Sequence, residues 1–320
     1  MTTMTTTMTT TTSTPLHEFG TSSVHTSIYR NGAEYTWVRS PGAAYPVPLP
    51  ALSADLRALL GSVHPALRLP DVDGSMYYSA DGTLPAASWL AFDEDLVRPM
   101  LQDALRQAGA ALAALHALPP PGEVRRRHPG PARLASWLRG RCESPASVRL
   151  REHALARLGR SRWERLQAIC ADLGAAPAGS LLHGAASMAL IVPVKGGGGN
   201  LLAGEDLSRG PWWLDVGWLV AELVELHQAV LAGIAPALEF SYRGLAGALL
   251  EGYGRVPDVE TLGALAVLRV LTHARDYAAY IGWDDQLHLY VEIVAGLFDQ
   301  RLGAEAARTI VGRPALESDG

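Results

Sequence analysis

Hydrophobic and polar positions along this chain follow two different rhythms. From residue 17 to about 90 the apolar residues come in short runs separated by turn residues, which predicts strands. Ser27-Ile28-Tyr29-Arg30 and Glu34-Tyr35-Thr36-Trp37-Val38-Arg39 flank Asn31-Gly32, a strong two-residue hairpin signal. Ser53 to Leu60 reads as a short helix capped by Ser53. Val72 and Met76-Tyr77-Tyr78 predict further short strands around Asp73-Gly74.

From about 91 onward the period becomes helical. Leu96, Met100, Leu101, Leu105, Ala108, Leu112 and Leu115 keep one face apolar between Asp95 and Leu118, and Pro119-Pro120-Pro121-Gly122 ends the helix. Further helices are predicted over 132–139, 146–158 and 161–173, the last capped by Ser161. Then the period shortens again. Ser180-Leu181-Leu182 and Leu190 to Val194 predict strands, Lys195 to Asn200 a glycine-rich hairpin loop, and Leu201-Leu202 the returning strand. Helices over 214–231, 241–253, 259–281 and 284–302 close the chain. The expected architecture is α+β and bilobal. A β-rich N-lobe spans 17–90 and a larger helical C-lobe spans 91–304, with a β-hairpin near 180–203. Residues 1–16 are expected as a disordered Thr-rich tail and 305–320 as a C-terminal tail.

Composition narrows the possibilities. Nearly half of the 320 residues are apolar, enough for a large core. The net charge of −5 offers no basic stripe for nucleic acid, and Arg125-Arg126-Arg127 reads as a solvated loop face. The longest apolar runs are interrupted by Glu222 and Arg269, so no membrane span is expected. Cys142 and Cys170 form no disulfide framework and suit a reducing, cytoplasmic compartment. Lys195 is the only lysine beside 26 arginines, so a site that ordinarily uses lysine must use arginine here.

The candidate chemistry lies in two segments set 20 residues apart: Leu181-Leu182-His183-Gly184-Ala185-Ala186-Ser187, and Leu201-Leu202-Ala203-Gly204-Glu205-Asp206 running on to Asp215-Val216-Gly217-Trp218. With the small sheet lobe and the long helix ending at His116, they resemble the aminoglycoside phosphotransferase and choline kinase-like branch of the protein-kinase-like fold, over roughly residues 20–300. That resemblance implies, for an active chain, ATP and Mg²⁺ as cofactors and a reaction run by positioning and charge stabilisation, and for an inactive one no cofactor. It also puts Ala185 where the base aspartate stands, Leu190 where a metal-binding asparagine stands, and Ala203 where the metal-binding aspartate stands. None of these side chains accepts a proton or binds Mg²⁺. Arg39 falls near the phosphate-binding lysine position, Asp55 at that of its helix acid, and Gly20-Thr21-Ser22-Ser23 at that of the phosphate loop. Lys195 among its glycines lacks the order of a P-loop.

Other polar residues occupy the same neighbourhood. Glu205 and Asp206 are candidate replacement metal ligands, or else a turn pair held by Arg209. His183 is a candidate catalytic residue, as general base or as a brace of its loop. Asp215 corresponds to the structural aspartate that caps a helix start. Glu222 and Glu225 read as a solvated face or as interlobe ion pairs. Trp212, Trp213 and Trp218 read as core.

The run from His183 to Trp218 is also similar to phosphotransferase-like proteins of class V lanthipeptide and thioamitide pathways. That similarity implies a Ser/Thr-bearing precursor peptide and a lyase-type protein as partners. Three functions follow: an atypical peptide phosphotransferase, a catalytically dead pseudokinase that binds the peptide or scaffolds the lyase, and a small-molecule kinase of the antibiotic-resistance kind.

Overall fold

A computed structural model describes residues 14–45, 49–92, 94–234 and 241–312. Most of the expected N-terminal tail, Pro46 and Pro48 of the Pro-rich loop, and the last eight residues lie outside the described residues.

The N-terminal lobe is built by local signals, and the expected hairpin forms with its two-residue loop at Gly32-Ala33, one position later than Asn31-Gly32. Strand β1 (His17–Gly20) pairs with β2 (Val24–Asn31), and β2 turns through Gly32 into β3 (Glu34–Pro41) with Asn31 opposite Glu34. Helix α1 (Ala54–Gly61) is capped by the Ser53 hydroxyl, which accepts the Leu56 amide at 3.1 Å. Strands β4 (Leu67–Arg68), β5 (Asp71–Asp73) and β6 (Ser75–Ala80) follow, and a five-stranded antiparallel sheet forms in the order β1-β2-β3-β6-β5.

Residues 81–85 cross to the second lobe, which starts with the short α2 (Ala86–Trp89) and the long α3 (Glu94–His116). Then come α4 (Pro129–Leu138) and α5 (Pro145–Ala175). The two helices expected over 146–158 and 161–173 are both present: α5 is two helical segments that meet at Gly159, whose φ of 76° and ψ of 167° are non-helical. The hairpin region holds β7 (Ser180–Leu182), β8 (Ile191–Pro193), β9 (Gly199–Leu202) and β10 (Ser208–Gly210). The chain closes with α6 (Trp213–Leu231), α7 (Tyr242–Tyr253), α8 (Val259–Tyr280), α9 (Gln286–Asp299) and α10 (Ala304–Val311). The tail expected from 305 is therefore helical as far as 311, because Ala306, Ala307 and Ile310 bury one face of α10 on the helical core. Among the described residues, no helix is long and apolar enough to cross a membrane.

Buried apolar residues form two clusters. The larger fills the helical lobe. The smaller joins Ile28, Trp37, Met76, Tyr78 and Ala80 of the sheet to Leu190, Val192 and Leu202 of the hairpin, so it belongs to both lobes. A parallel pairing of β4 with β9 reinforces this seam: the amides of Leu201 and Ala203 donate to the carbonyls of Ala66 and Arg68 at 2.8 and 2.9 Å. Asp81 and Asn200 add a reciprocal pair of bonds at 2.7 and 3.0 Å.

Candidate functional site

Asp215 organises the His-Gly turn. It sits in the first turn of α6, completely buried, where a carboxylate is favoured by the helix N-terminus. Its oxygens accept the amides of His183 at 2.5 Å and Gly184 at 2.9 Å, and His116 Nε2 approaches at 3.0 Å. His128 Nε2 lies 3.5 Å away. Burial works to raise this carboxyl, but the His116 bond and the charge of the two nearby histidines hold it well below the usual carboxylate range. Gly184 is required at the turn. Its φ is +81°, and a Cβ there would lie 1.8 Å from the Asp206 carbonyl.

His183 is a brace. Its Nε2 donates to the Leu202 carbonyl at 2.8 Å, and its Nδ1 accepts the Ala185 amide at 3.3 Å. Burial lowers its pKa, so the ring is neutral, and both nitrogens are occupied. This tautomer ties the His-Gly turn to the hairpin. Leu190 and Ala203 are buried within the two apolar clusters, and Ala185 packs at the edge of the smaller one.

The remaining acids meet arginines. Glu205 Oε2 accepts from Arg39 Nε at 2.9 Å, and Tyr45 OH lies 3.4 Å from Oε1. Arg39, on β3, thus pairs across the lobes with Glu205 instead of with Asp55. Its pKa is raised: burial opposes the charge and Glu205 more than restores it. Asp206 is held by Arg126 at 3.1 Å and not by Arg209. Arg125, Arg126 and Arg127 are all exposed, as a solvated loop face requires, and Arg126 reaches Asp206 from that face. Among the described residues, no group of three or more His, Cys, Asp or Glu side chains is arranged to hold a metal ion. The Mg²⁺ implied by the resemblance finds methyl and isobutyl groups at its ordinary positions and ion-paired acids at the alternative ones.

These residues border a cavity of about 430 Å³. The β1–β2 turn contributes Thr21 and Ser23; the hairpin side contributes Glu205 and Asp206; α8 contributes His273, Asp276 and Tyr277. Arg133, bonded to Asp276 at 3.3 Å, adds a third Arg–carboxylate pair to the wall. Sequence reasoning missed Tyr45, Arg133 and the α8 residues, since no local pattern connects them to the hairpin.

Glu222 and Glu225 are buried within the helical lobe, which corrects their reading as a solvated face or interlobe pairs. Arg269 of α8 bridges both, at 3.2 and 3.0 Å, and Glu222 accepts the Met188 amide at 2.9 Å. Their spacing on α6 serves to anchor the loop after the His-Gly turn.

Neither a protein-family model nor a curated protein matches the sequence. Solved structures do match in fold. An ethanolamine kinase from Plasmodium vivax is 10% identical, with 85% of this chain and 78% of that one covered at a TM-score of 0.50. A spectinomycin phosphotransferase, solved with ADP and spectinomycin, is 10% identical over 89% of this chain and 93% of that one, at 0.48. A choline kinase from Cryptosporidium parvum is 10% identical over 89% and 90%, at 0.45. The chain shares the kinase-like fold of that ethanolamine kinase, with a small sheet lobe beside a helical one.

Proposed function

We propose that this chain is a non-catalytic kinase-fold protein: a pseudokinase that holds a Ser/Thr-bearing precursor peptide of a modified-peptide pathway in its interlobe cavity and presents it to a lyase partner. The observation that carries this reading is the Arg39–Glu205 pair. The cation placed to meet phosphate and the acid placed to meet metal neutralise each other, both nearly buried. Phosphoryl transfer depends on electrostatic positioning, and three of its ordinary anchors are Ala185, Leu190 and Ala203. The cavity wall sums to three arginines against three carboxylates, with tyrosines between. Such a wall suits a neutral polar chain carrying amides and hydroxyls better than a polyanion.

The test pairs two measurements on the intact protein. Titration calorimetry with the precursor peptide is expected to give saturable binding that does not depend on Mg·ATP. Incubation with labelled ATP and the peptide is expected to leave the peptide unphosphorylated. Phosphate on a peptide Ser or Thr would overturn the reading.

The alternative of an atypical phosphotransferase draws on one observation, the adjacency of Glu205 and Asp206 on the cavity wall. It requires both acids to leave their arginines for metal. Phosphopeptide formation lost in Glu205→Ala/Asp206→Ala would establish it.

A further inference from the structure

Trp37 lies on β3 two residues before Arg39, and it is completely buried between the lobes. Its indole N–H donates to the Gly82 carbonyl, in the crossover, at 2.9 Å. Ile28 of β2, Tyr78 of β6, and Val192 and Leu202 of the hairpin share its apolar cluster. The crossover is pressed onto the hairpin at the same place: a Cβ on Gly82 would lie 2.3 Å from the Pro193 carbonyl oxygen and 2.7 Å from the Val192 side chain.

In this fold the phosphates of a nucleotide lie under the β1–β2 turn and beside the β3 cation. The base must then extend inward along β2 and β3 toward the crossover. That space contains the indole. A purine and an indole are both flat bicycles of similar size, and each can aim an N–H at a backbone carbonyl. The β1–β2 turn also touches α8, where the Ser22 hydroxyl and amide both donate to the Tyr280 carbonyl, at 2.5 and 3.2 Å.

We propose that Trp37 occupies the nucleobase position permanently, so that the chain supplies from its own side chain the flat group that a nucleotide would bring, and nucleotides are refused at the level of binding. This deepens the non-catalytic reading but rests on different residues, because acids can be lost from a site that still binds ATP.

The experiment is a set of thermal melts. Wild-type protein is expected to show no rise in Tm with millimolar adenosine, ATP or Mg·ATP, whereas a ligand that bound the native state would raise it. Trp37→Ala is expected to melt lower and to recover part of the loss with indole or adenosine, as an apolar cavity accepts a matching flat ligand. Trp37→Phe keeps an aromatic filler and is expected to stay unresponsive. A saturable Tm rise in the wild type with adenosine or ATP would overturn the proposal. So would a folded Trp37→Ala that neither indole nor adenosine stabilises. Should Trp37→Ala fail to fold, the wild-type melts alone decide. Nucleotide binding without phosphoryl transfer would sink this inference and leave the non-catalytic reading standing.

Discussion

Arg39 and Glu205 stand 166 residues apart in sequence and 2.9 Å apart in space, one on the sheet lobe and one after the hairpin. Both side chains are nearly buried, so each depends on the other to offset lost hydration. Removing one partner, as in Arg39→Met or Glu205→Gln, is expected to cost about 3–5 kcal/mol. The double variant is expected to cost less than the sum. Urea melts of the four proteins in a double-mutant cycle measure the coupling, and strict additivity would show that the pair is only a contact.

Asp215 is expected to be the most sensitive acid in the chain. Asp215→Asn removes the charge that His116, His128 and two amides share, and an expected loss of about 3–5 kcal/mol at neutral pH follows. The carboxyl is depressed in the folded state, so its contribution is complete above the ordinary value of about 3.9 and disappears as pH falls through the folded value. The gap between wild type and Asp215→Asn in urea melts should therefore narrow in acid.

His273 moves the opposite way. Burial opposes its charge, but the Glu225 carboxylate accepts from Nδ1, stabilises the imidazolium and raises the pKa above the ordinary value. Arg269, which opposes the imidazolium, and Glu222, which supports it, face the same group. A raised folded pKa gives stability that is complete below about 6.5 and is lost as pH rises through the folded value. His273→Gln is expected to destabilise more near pH 5.5 than near pH 9. Equal losses at both pH values would show that the imidazolium contributes nothing.

Restoring the acids should not restore a kinase. Ala203 is 1% exposed, and a carboxylate there would be buried without a partner. Ala203→Asp is expected to lower Tm markedly, while Ala185→Asp, at the edge of its cluster, is expected to be milder. The double variant is expected to release no ADP from ATP. Turnover in a coupled ADP assay would mean that the acids alone separate this chain from an active transferase.

The fold was legible wherever one stretch of chain decides it. Gly32 turns a hairpin one position later than read, Ser53 caps α1, and the apolar stripe of α3 repeats at helical spacing. The resemblance placed Asp215 at the start of a helix, where it stands, and of the two roles read for His183 its hydrogen bonds are those of a brace. What stayed hidden depends on pairs distant in sequence. Nothing near Arg126 announces Asp206, and nothing near Leu67 announces β9, because the two-residue β4 carries no pattern of its own. The break read between 158 and 161 falls at Gly159, whose backbone leaves the helical region there. The burial of Glu222 and Glu225 required Arg269, which lies on another helix.

The backbone bonds between β4 and β9 have a mechanical meaning. They make one ribbon out of pieces that belong to opposite halves of the molecule, and Asp81 with Asn200 rivets its margin. Halves joined in this way resist swinging on a single pin, so the shape of the mouth weighs on which guest is admitted. Such a frame is expected to come apart in a single step on heating, with no intermediate in which one half survives the other.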